Sequence, residues 1–201
     1  MIEEMNEKHV AQACQIHIEA LPDSFLPMLG YDFLKVVYNS ILEYNLGFGF
    51  VCIKEGKVVG FILACKNTGK LFNDIIKKKW FALILPLLKK IMRSPSLLIR
   101  VYETIFYPKK EKSEEIQSEL LVIAVDKDYR RSKIGKDLVN YLNARFLQEN
   151  IYKYSVSVYS TNMHANEFYK SNGFRLERSF TLYDKEFNVY EYELKEKRKT
   201  D

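Results

Sequence analysis

The chain has 201 residues, of which 47% are hydrophobic and 14% aromatic, so it is too apolar to be disordered and long enough for one packed domain. Its formal net charge of +5 is well below what a dedicated DNA-binding protein carries, and we expect no nucleic-acid partner. Three cysteines, an odd and sparse set, exclude a disulfide framework and favour a reducing compartment, so we expect a cytoplasmic protein.

The first third of the chain predicts a strand, two helices and a β-hairpin. The apolar residues change from helical spacing to aromatic and β-branched runs near residue 47. The predicted elements are a strand at 2–5, helices at 7–20 and 31–43, and strands at 48–53 and 58–65. Gly56 lies in the short link between the last two strands, and we expect it to take the positive φ that a tight hairpin needs.

Residues 66–117 form a basic segment that we interpret as a helical insert within a single domain, 1–201. Between Lys66 and Lys112, twelve basic and three acidic residues give a charge of +9, so the rest of the chain sums to −4. The apolar spacing is helical but is interrupted by Pro86 and Pro95, which predicts two or three short helices.

Three roles for this insert stay open at the level of sequence. It can be a helical pair that packs an apolar stripe on the domain and leaves its lysines solvated; the stripe is Trp80, Leu83, Leu87 and Ile91. It can be a wall over an acceptor site, with its cations facing a phosphate-bearing substrate. It can also contact an anionic membrane surface, because lysines bracket the apolar run 80–88. That run is far shorter than the about 20 residues that span a bilayer, so we expect no transmembrane helix.

The remaining chain alternates strands and helices. Leu120 to Val125 is a continuous apolar run, typical of a central strand buried on both faces. The elements predicted after it are a helix at about 133–149, a strand at 153–159, a helix at 164–171, and strands at 174–180 and 187–194. The order is therefore β-α-α-β-β, insert, β-α-β-α-β-β, which is an α/β protein.

The turn between the central strand and the next helix indicates an anion site. A helix that starts directly after a strand leaves its first amides unpaired, and the helix dipole favours negative charge there. Four cations surround this start, and a glycine permits close backbone approach: Arg130, Arg131, Lys133, Lys136 and Gly135. A diphosphate fits this arrangement; an ordinary loop with solvated cations is the alternative.

Two motifs in this half resemble those of the GNAT acyltransferase family. Residues 123–138 resemble its acetyl-CoA-binding motif, (Gln/Arg)-x-x-Gly-x-(Gly/Ala), in which Arg130 and Gly135 match and Lys133 replaces the first glycine. Downstream, the chain has the second hallmark of the family at Asn162, Ala165, Phe168, Tyr169, Gly173 and Phe174. The resemblance is weak over residues 1–65 and absent over 66–117.

The resemblance implies a fold, a co-substrate and a set of binding residues. The fold would be α/β, with a mixed, mostly antiparallel central sheet flanked by helices and a helical insert between strands 3 and 4. Acetyl-CoA would be the co-substrate, with its pantetheine arm paired to the backbone of Ile123, Ala124 and Val125 and its amide bonded by Asn162. The pyrophosphate would be held by Arg131, Ser132, Lys133, Ile134, Gly135 and Lys136, and Arg130 would also belong to the co-substrate site.

The resemblance also implies N-acetylation by direct attack of a primary amine. Tyr169 would be the general acid, since a phenol can donate a proton to a leaving thiolate; a tyrosine that only packs its helix is the alternative. Glu119, at the entry of the central strand, is the best-placed candidate base, and a solvated strand-flanking charge is its alternative. No His or Cys spacing indicates a metal site.

The acceptor and the assembly are less determined by the sequence. We expect a small-molecule acceptor such as an amino sugar, with a peptide or protein amine as the second candidate. A non-catalytic acyl-CoA-binding protein is the alternative class. The sequence leaves open whether the protein forms a homodimer.

Overall fold

The computed structural model describes residues 1–95, 97, 116–182 and 184–195, and these form a seven-stranded sheet with helices on both faces. The strands are β1 (Ile2–Glu4), β2 (Gly47–Lys54), β3 (Lys57–Cys65), β4 (Glu119–Val125), β5 (Lys153–Tyr159), β6 (Arg175–Leu182) and β7 (Lys185–Glu193). The helices are α1 (Glu7–Ala20), α2 (Phe25–Met28), α3 (Tyr31–Glu43), α4 (Thr68–Ile91), α5 (Ile134–Gln148) and α6 (Met163–Ser171). A 3-10 turn, Lys127–Tyr129, follows β4.

The sheet has the order β1-β2-β3-β4-β5-β7-β6. Its neighbours pair antiparallel except β4 and β5, which run parallel. The mixed, mostly antiparallel sheet with a helix inserted between the third and fourth strands confirms the predicted fold class. The hairpin prediction is also confirmed, since Glu55 and Gly56 take φ values of 51° and 75° between paired Lys54 and Lys57.

Each face of the sheet has its own hydrophobic core. Residues of α1, α3 and α4 pack on one face around Tyr38, Phe61 and Leu63. Residues of α5 and α6 pack on the other face around Phe146, Tyr154 and Tyr190. We call these the α1 face and the α5 face, and side chains along β4 alternate between them except at Leu121 and Val122, which both pack on the α1 face.

The structure of the insert differs from the sequence-based expectation at Pro86 and bears on one of the three open roles. Within the described residues, α4 is one continuous helix of 24 residues that contains Pro86, so the predicted break at that proline is wrong. Proline removes one helical hydrogen bond, and the contacts of buried Leu71, Ile75 and Leu83 with the core of the α1 face hold the part of the helix that precedes the proline. In the stripe that the first of the three open roles would pack on the domain, Leu83 is buried, whereas Trp80 is 60% exposed.

The second predicted break agrees with the structure, since α4 ends at Ile91, shortly before Pro95. The predicted helical segment that continues to about residue 107 lies largely outside the described residues. The short helix α2 was not predicted from the sequence. Among the described helices, none combines the length and the apolar character needed to cross a membrane.

Candidate active site

A gap opens in the middle of the sheet between the parallel strands β4 and β5. Within the described part of the chain, the two strands pair only at Glu119 and Ser155, next to a hydrogen bond of 3.0 Å from the Ser155 N–H to the Ser118 carbonyl. Beyond this point β5 continues to pair with β7, and β4 continues to pair with β3. The strands therefore splay apart toward their carboxyl ends and leave one edge of β4 open.

A β-bulge reorients β4 next to this opening. Leu63 pairs with Val122 and Ala64 pairs with Leu120, so Leu121 is the extra residue. A bulge of this kind changes which backbone groups point to each side of a strand, and bulges are enriched next to active sites.

The hydrogen-bond alternation identifies the backbone groups that face the gap. The Asp126 N–H donates to the Val59 carbonyl at 2.9 Å, which extends the β3–β4 register by one pair. Because antiparallel pairs alternate, Ala124 also directs its N–H and carbonyl to β3, whereas Ile123 and Val125 direct theirs into the gap. Of the three residues predicted to pair with pantetheine, only Ile123 and Val125 offer backbone groups on that edge.

The loop between β4 and α5 forms the mouth of the gap. The Arg130 Nε donates to the Val125 carbonyl at 3.3 Å, and the Ser132 hydroxyl donates to the Tyr129 carbonyl. The first helical hydrogen bond of α5 runs from the Asp137 N–H to the Lys133 carbonyl, so the preceding amides, at residues 134–136, have no partner within the helix.

The predicted cations lie at this amide cluster. The side chains of Arg130, Arg131, Lys133 and Lys136 are all exposed. Lys133 is the N-cap of α5 and takes a left-handed conformation with φ 65° and ψ 0°, and Arg131 has φ 62°. The position where the family motif has glycine thus does require positive φ, although a lysine occupies it. Unpaired amides, a helix N-terminus and four cations fit a diphosphate.

Gly135 and Ile134 pack the start of α5 onto its neighbours. Ile134 is buried in the core of the α5 face. A Cβ built on Gly135 would lie 3.2 Å from Cε2 of Phe168, which belongs to α6. The glycine therefore permits close packing of the α5 start against α6.

Helix α6 carries the second predicted motif. Asn162 is its N-cap, and the Asn162 Oδ1 accepts a hydrogen bond of 3.1 Å from the Ala165 N–H. Tyr169 is 5% exposed and packs against the rings of Phe174 and Tyr190, with centroids 5.1 and 5.8 Å away. This burial raises the pKa of the Tyr169 phenol well above its usual range, so the phenol stays protonated.

Glu119 lies at the closed end of the gap and on the α1 face. Its partner in β3 is Cys65, which belongs to the core of that face. The Thr68 hydroxyl, at the start of α4, donates to the Glu119 Oε2 at 2.8 Å. Tyr169 belongs to the core of the α5 face, so the two candidate catalytic side chains approach the sheet from opposite faces.

A buried asparagine that the sequence motifs did not single out links the two elements that follow the gap. The Asn166 Nδ2 donates to the Tyr159 carbonyl at 2.9 Å, at the end of β5. The Asn166 Oδ1 accepts from the Asn188 amide and the Tyr190 hydroxyl, both in β7. It therefore fixes α6 against β5 and β7. The sequence contains no signal for this role beyond a polar residue on the inner side of the helix.

The histidines and cysteines of the described ranges do not come together in a metal site. Within the described ranges, no cluster of three or more His, Cys, Asp or Glu side chains could hold a metal ion. His17 is a core residue, with its ring nitrogens bonded to Tyr38 and Ser24. The three cysteines are free and buried.

A family model matches this arrangement. The model for the acetyltransferase (GNAT) family matches residues 12–174, which include the gap, the α5 loop and α6. The chain belongs to the GNAT family of acetyltransferases. It is an acyl-CoA N-acyltransferase, and acetyl-CoA is the co-substrate that this family uses.

Solved structures share the GNAT fold at low sequence identity. Ard1 from Thermoplasma volcanium is 17% identical, with 98% of each chain covered and a TM-score of 0.59. The ribosomal-protein-S18-alanine N-acetyltransferase from Escherichia coli is 14% identical, with 100% of this chain and 97% of that chain covered and a TM-score of 0.60.

A third neighbour was solved with the co-substrate. It is a Bacillus anthracis protein assigned as a streptothricin acetyltransferase, in complex with acetyl coenzyme A. It is 15% identical, with 79% of this chain and 68% of that chain covered and a TM-score of 0.52. No curated protein sequence matches this chain.

Proposed function

We propose that this GNAT protein transfers an acetyl group from acetyl-CoA to the primary amine of a small molecule, with Glu119 as general base and Tyr169 as general acid. The observation that carries the proposal is the gap between β4 and β5, with Glu119 at its closed end on one face of the sheet. The protonated phenol of Tyr169 belongs to the core of the other face. Direct attack on a thioester needs a base on the side of the amine and an acid on the side of the leaving sulfur.

The chain holds the co-substrate with backbone groups and cations. When bound, acetyl-CoA supplies a thioester whose acyl carbon accepts the amine and whose sulfur leaves as a thiolate. Ile123 and Val125 offer their gap-facing backbone groups to the pantetheine arm, and an amide on this edge polarises the acyl carbonyl as an oxyanion donor. The amides at residues 134–136 and the surrounding cations bind the pyrophosphate, and the Asn162 side chain bonds a pantetheine amide.

Each of the two proposed catalytic side chains carries out one proton transfer, and they act from opposite faces of the sheet. Glu119 accepts the proton of the acceptor ammonium, directly or through water, and the Thr68 hydroxyl orients its carboxylate. Tyr169 donates its proton, or a hydrogen bond, toward the sulfur. Because burial raises the pKa of this phenol, it is always in the donating form at neutral pH.

One contact on the α1 face favours a small acceptor, because it crosses the open end of the gap. The Tyr159 hydroxyl, at the end of β5, donates to the Asp23 carbonyl at 3.4 Å, which links the loop after α1 to the far half of the sheet. The ring of Tyr159 packs on Phe187, which stacks on Phe180. These contacts leave less room for an extended peptide than for a compact amine.

A peptide or protein amine is the second candidate. It is favoured by the fold likeness to the Escherichia coli S18-alanine N-acetyltransferase over nearly the whole of both chains. The two acceptor classes differ in the space that they need on the α1 face, since a peptide would have to displace the contact between Tyr159 and Asp23.

Thiol release from acetyl-CoA, measured against a panel of amino sugars, small amines and peptides, tests the proposal. We expect turnover with a small amine, and Tyr169→Phe should lower kcat by about tenfold or more. Glu119→Gln should lower kcat/KM by about tenfold or more. The matched controls, Tyr141→Phe and Glu177→Gln, change exposed side chains of α5 and β6 and should leave kcat unchanged.

Each arm of this experiment can overturn part of the proposal. Tight acetyl-CoA binding without thiol release on any amine would show a non-catalytic acyl-CoA-binding protein. Turnover on peptides alone would reverse the order of the two acceptor classes. Unchanged kcat in Tyr169→Phe would remove the phenol from the role of acid.

A further inference from the structure

We propose that helix α4 is a docking surface for an anionic lipid bilayer, on which it lies in the plane of the interface. The helix turns apolar side chains to solvent along its middle turns. Six of them between residues 76 and 88 are exposed by 37% to 64%: Ile76, Trp80, Phe81, Ile84, Leu85 and Leu88. A group of this size on one helix marks an interaction site rather than scattered surface residues.

These side chains cover a different side of the helix from the one that packs on the protein. With 100° between successive residues, the six exposed residues span roughly half of the circumference. The buried residues Leu71, Ile75 and Leu83 lie on the other half, against the core of the α1 face. The outward apolar side is therefore separate from the inward side that holds α4 in place.

The charges along this part of the helix are almost all positive, with Asp74 as the one acidic residue of α4, a turn before the lysines. Residues 75–95 contain no Asp or Glu, and their basic residues are Lys77, Lys78, Lys79, Lys89, Lys90 and Arg93. Three of these precede the apolar run from Trp80 to Leu88 and three follow it. Lys77, Lys78 and Lys89 are exposed, whereas the Lys79 ammonium pairs with Glu43 at 2.7 Å. Long lysine side chains beside an apolar band can reach phosphate groups while the band enters the acyl boundary.

An anionic bilayer fits this surface better than a second copy of the chain. A two-fold contact of α4 with α4 would bring two sets of lysines together, and protein interfaces are depleted in lysine. Trp and Phe side chains favour the membrane interface, and each nearby cation adds attraction to anionic headgroups. No described helix is suited to span a bilayer, so α4 would lie flat rather than insert across it.

Trp80 reports directly on this docking, because it is the only tryptophan in the chain. The protein is mixed with vesicles of phosphatidylcholine alone or of phosphatidylcholine with phosphatidylglycerol, and its fluorescence and flotation are followed. With the anionic vesicles we expect a blue shift of the emission, protection of Trp80 from acrylamide quenching, and co-flotation that high salt weakens. Neutral vesicles should give none of these. Equal binding to both vesicles, or binding to neither, would overturn the proposal.

Two variants separate the charges from the apolar side while keeping the reporter. Lys77→Glu/Lys78→Glu/Lys89→Glu should lower the partition coefficient by about a hundredfold or more. Phe81→Glu/Leu85→Glu should abolish the blue shift. The matched controls are Lys54→Glu/Lys57→Glu/Lys170→Glu, with the same change of charge at exposed lysines outside α3 and α4, and Leu176→Glu, at an exposed leucine of β6. Binding that the α4 charge variant retains would overturn the proposal.

Light scattering of the protein without lipid distinguishes self-association. A dimer that Phe81→Glu/Leu85→Glu dissociates, without vesicle binding by the wild type, would assign the surface to a second copy. Far-UV circular dichroism establishes that each variant is folded, and the salt and lipid dependence of the wild type tests the proposal without any variant. None of these readouts involves acetyl transfer, so the result is independent of the proposed reaction.

Discussion

At the scale of single residues, the loop before α5 has a lysine on backbone that favours glycine. Lys133 has φ 65° and makes no side-chain capping hydrogen bond. A Cβ in this conformation crowds the neighbouring carbonyl, at a cost of about 1 kcal/mol. Lys133→Gly should therefore raise the free energy of unfolding by about 1 kcal/mol, as measured by urea denaturation.

Lys136 provides the control for this prediction. It is the same residue type, also exposed, three positions further along and within α5. Glycine inside a helix is unfavourable, so Lys136→Gly should lower the free energy of unfolding by about 1 kcal/mol. If both glycine variants lose stability alike, backbone strain at Lys133 is not the reason for the family's glycine.

His17 is held in one tautomer by its partners. The Ser24 hydroxyl donates to the Leu21 carbonyl at 2.8 Å, so its oxygen accepts from His17 Nε2–H at 3.2 Å. His17 Nδ1 then accepts from the Tyr38 hydroxyl at 2.5 Å. The ring is 4% exposed, and this burial lowers the pKa of His17 from 6.5 to about 4. The folded protein thus keeps His17 neutral where the unfolded chain protonates it.

This difference predicts a loss of stability in mild acid. Above pH 6.5 both states hold His17 neutral, and between pH 6.5 and about 4 only the unfolded state binds the proton. The free energy of unfolding should therefore fall by about 2 kcal/mol between neutral pH and pH near 5 from this group. The burial of His9 lowers its pKa as well, so the His17 share is the difference between the urea denaturation curves of wild type and His17→Gln. An equal pH dependence in both proteins would contradict it.

At the scale of elements, Gly135 sets how closely α5 approaches α6. A Cβ at this position would be 3.2 and 3.4 Å from two ring atoms of Phe168. Gly135→Val should therefore push Phe168 aside and disturb α6, which carries Asn162 and Tyr169. We expect a loss of about 1–3 kcal/mol in the free energy of unfolding and weaker acetyl-CoA binding in calorimetry.

A second substitution identifies the cause. Phe168→Leu removes the ring atoms that the new side chain would meet, so the double variant should regain affinity and stability relative to Gly135→Val. If the double variant regains stability but not affinity, glycine is required for close approach of the pyrophosphate to the backbone, as the motif alone had implied. Equal affinity of Gly135→Val and wild type would remove Gly135 from the co-substrate site.

The same helices and strands show how far the sequence could lead. Periodicity and the two motifs predicted the strand, loop and helix around the gap, because these elements are specified by local spacing. The bulge at Leu121 was not predictable, since it depends on register with β3, and it decides that Ile123 rather than Ala124 faces the gap. The exposure of Trp80 was also missed, because an apolar residue on a periodic stripe is ordinarily buried.

At the scale of the whole molecule, the sheet consists of two parts that meet at one strand pair. The part from β1 to β4 packs its helices on the α1 face, and the part from β5 to β7 is anchored through the Asn166 hydrogen bonds. The described strands connect the two parts through the single pair of Glu119 and Ser155. A ligand that pairs with the open edge of β4 should therefore stabilise the junction where the protein itself makes few contacts.

Amide hydrogen exchange measures, residue by residue along β4, how far a bound ligand stabilises this junction. In the free protein, Ile123 and Val125 should exchange about tenfold or more faster than Val122 and Ala124, because only the latter amides are bonded to β3. Saturating acetyl-CoA should slow amide exchange at Ile123 and Val125 by up to about a hundredfold at one hundred times Kd. The exchange rates of Val122 and Ala124 should change little. Equal protection of all four amides in the free protein would place β5 against β4 and close the gap. If acetyl-CoA slowed exchange at Val122 and Ala124 rather than at Ile123 and Val125, the backbone groups that face the gap would be one residue out of phase with this register.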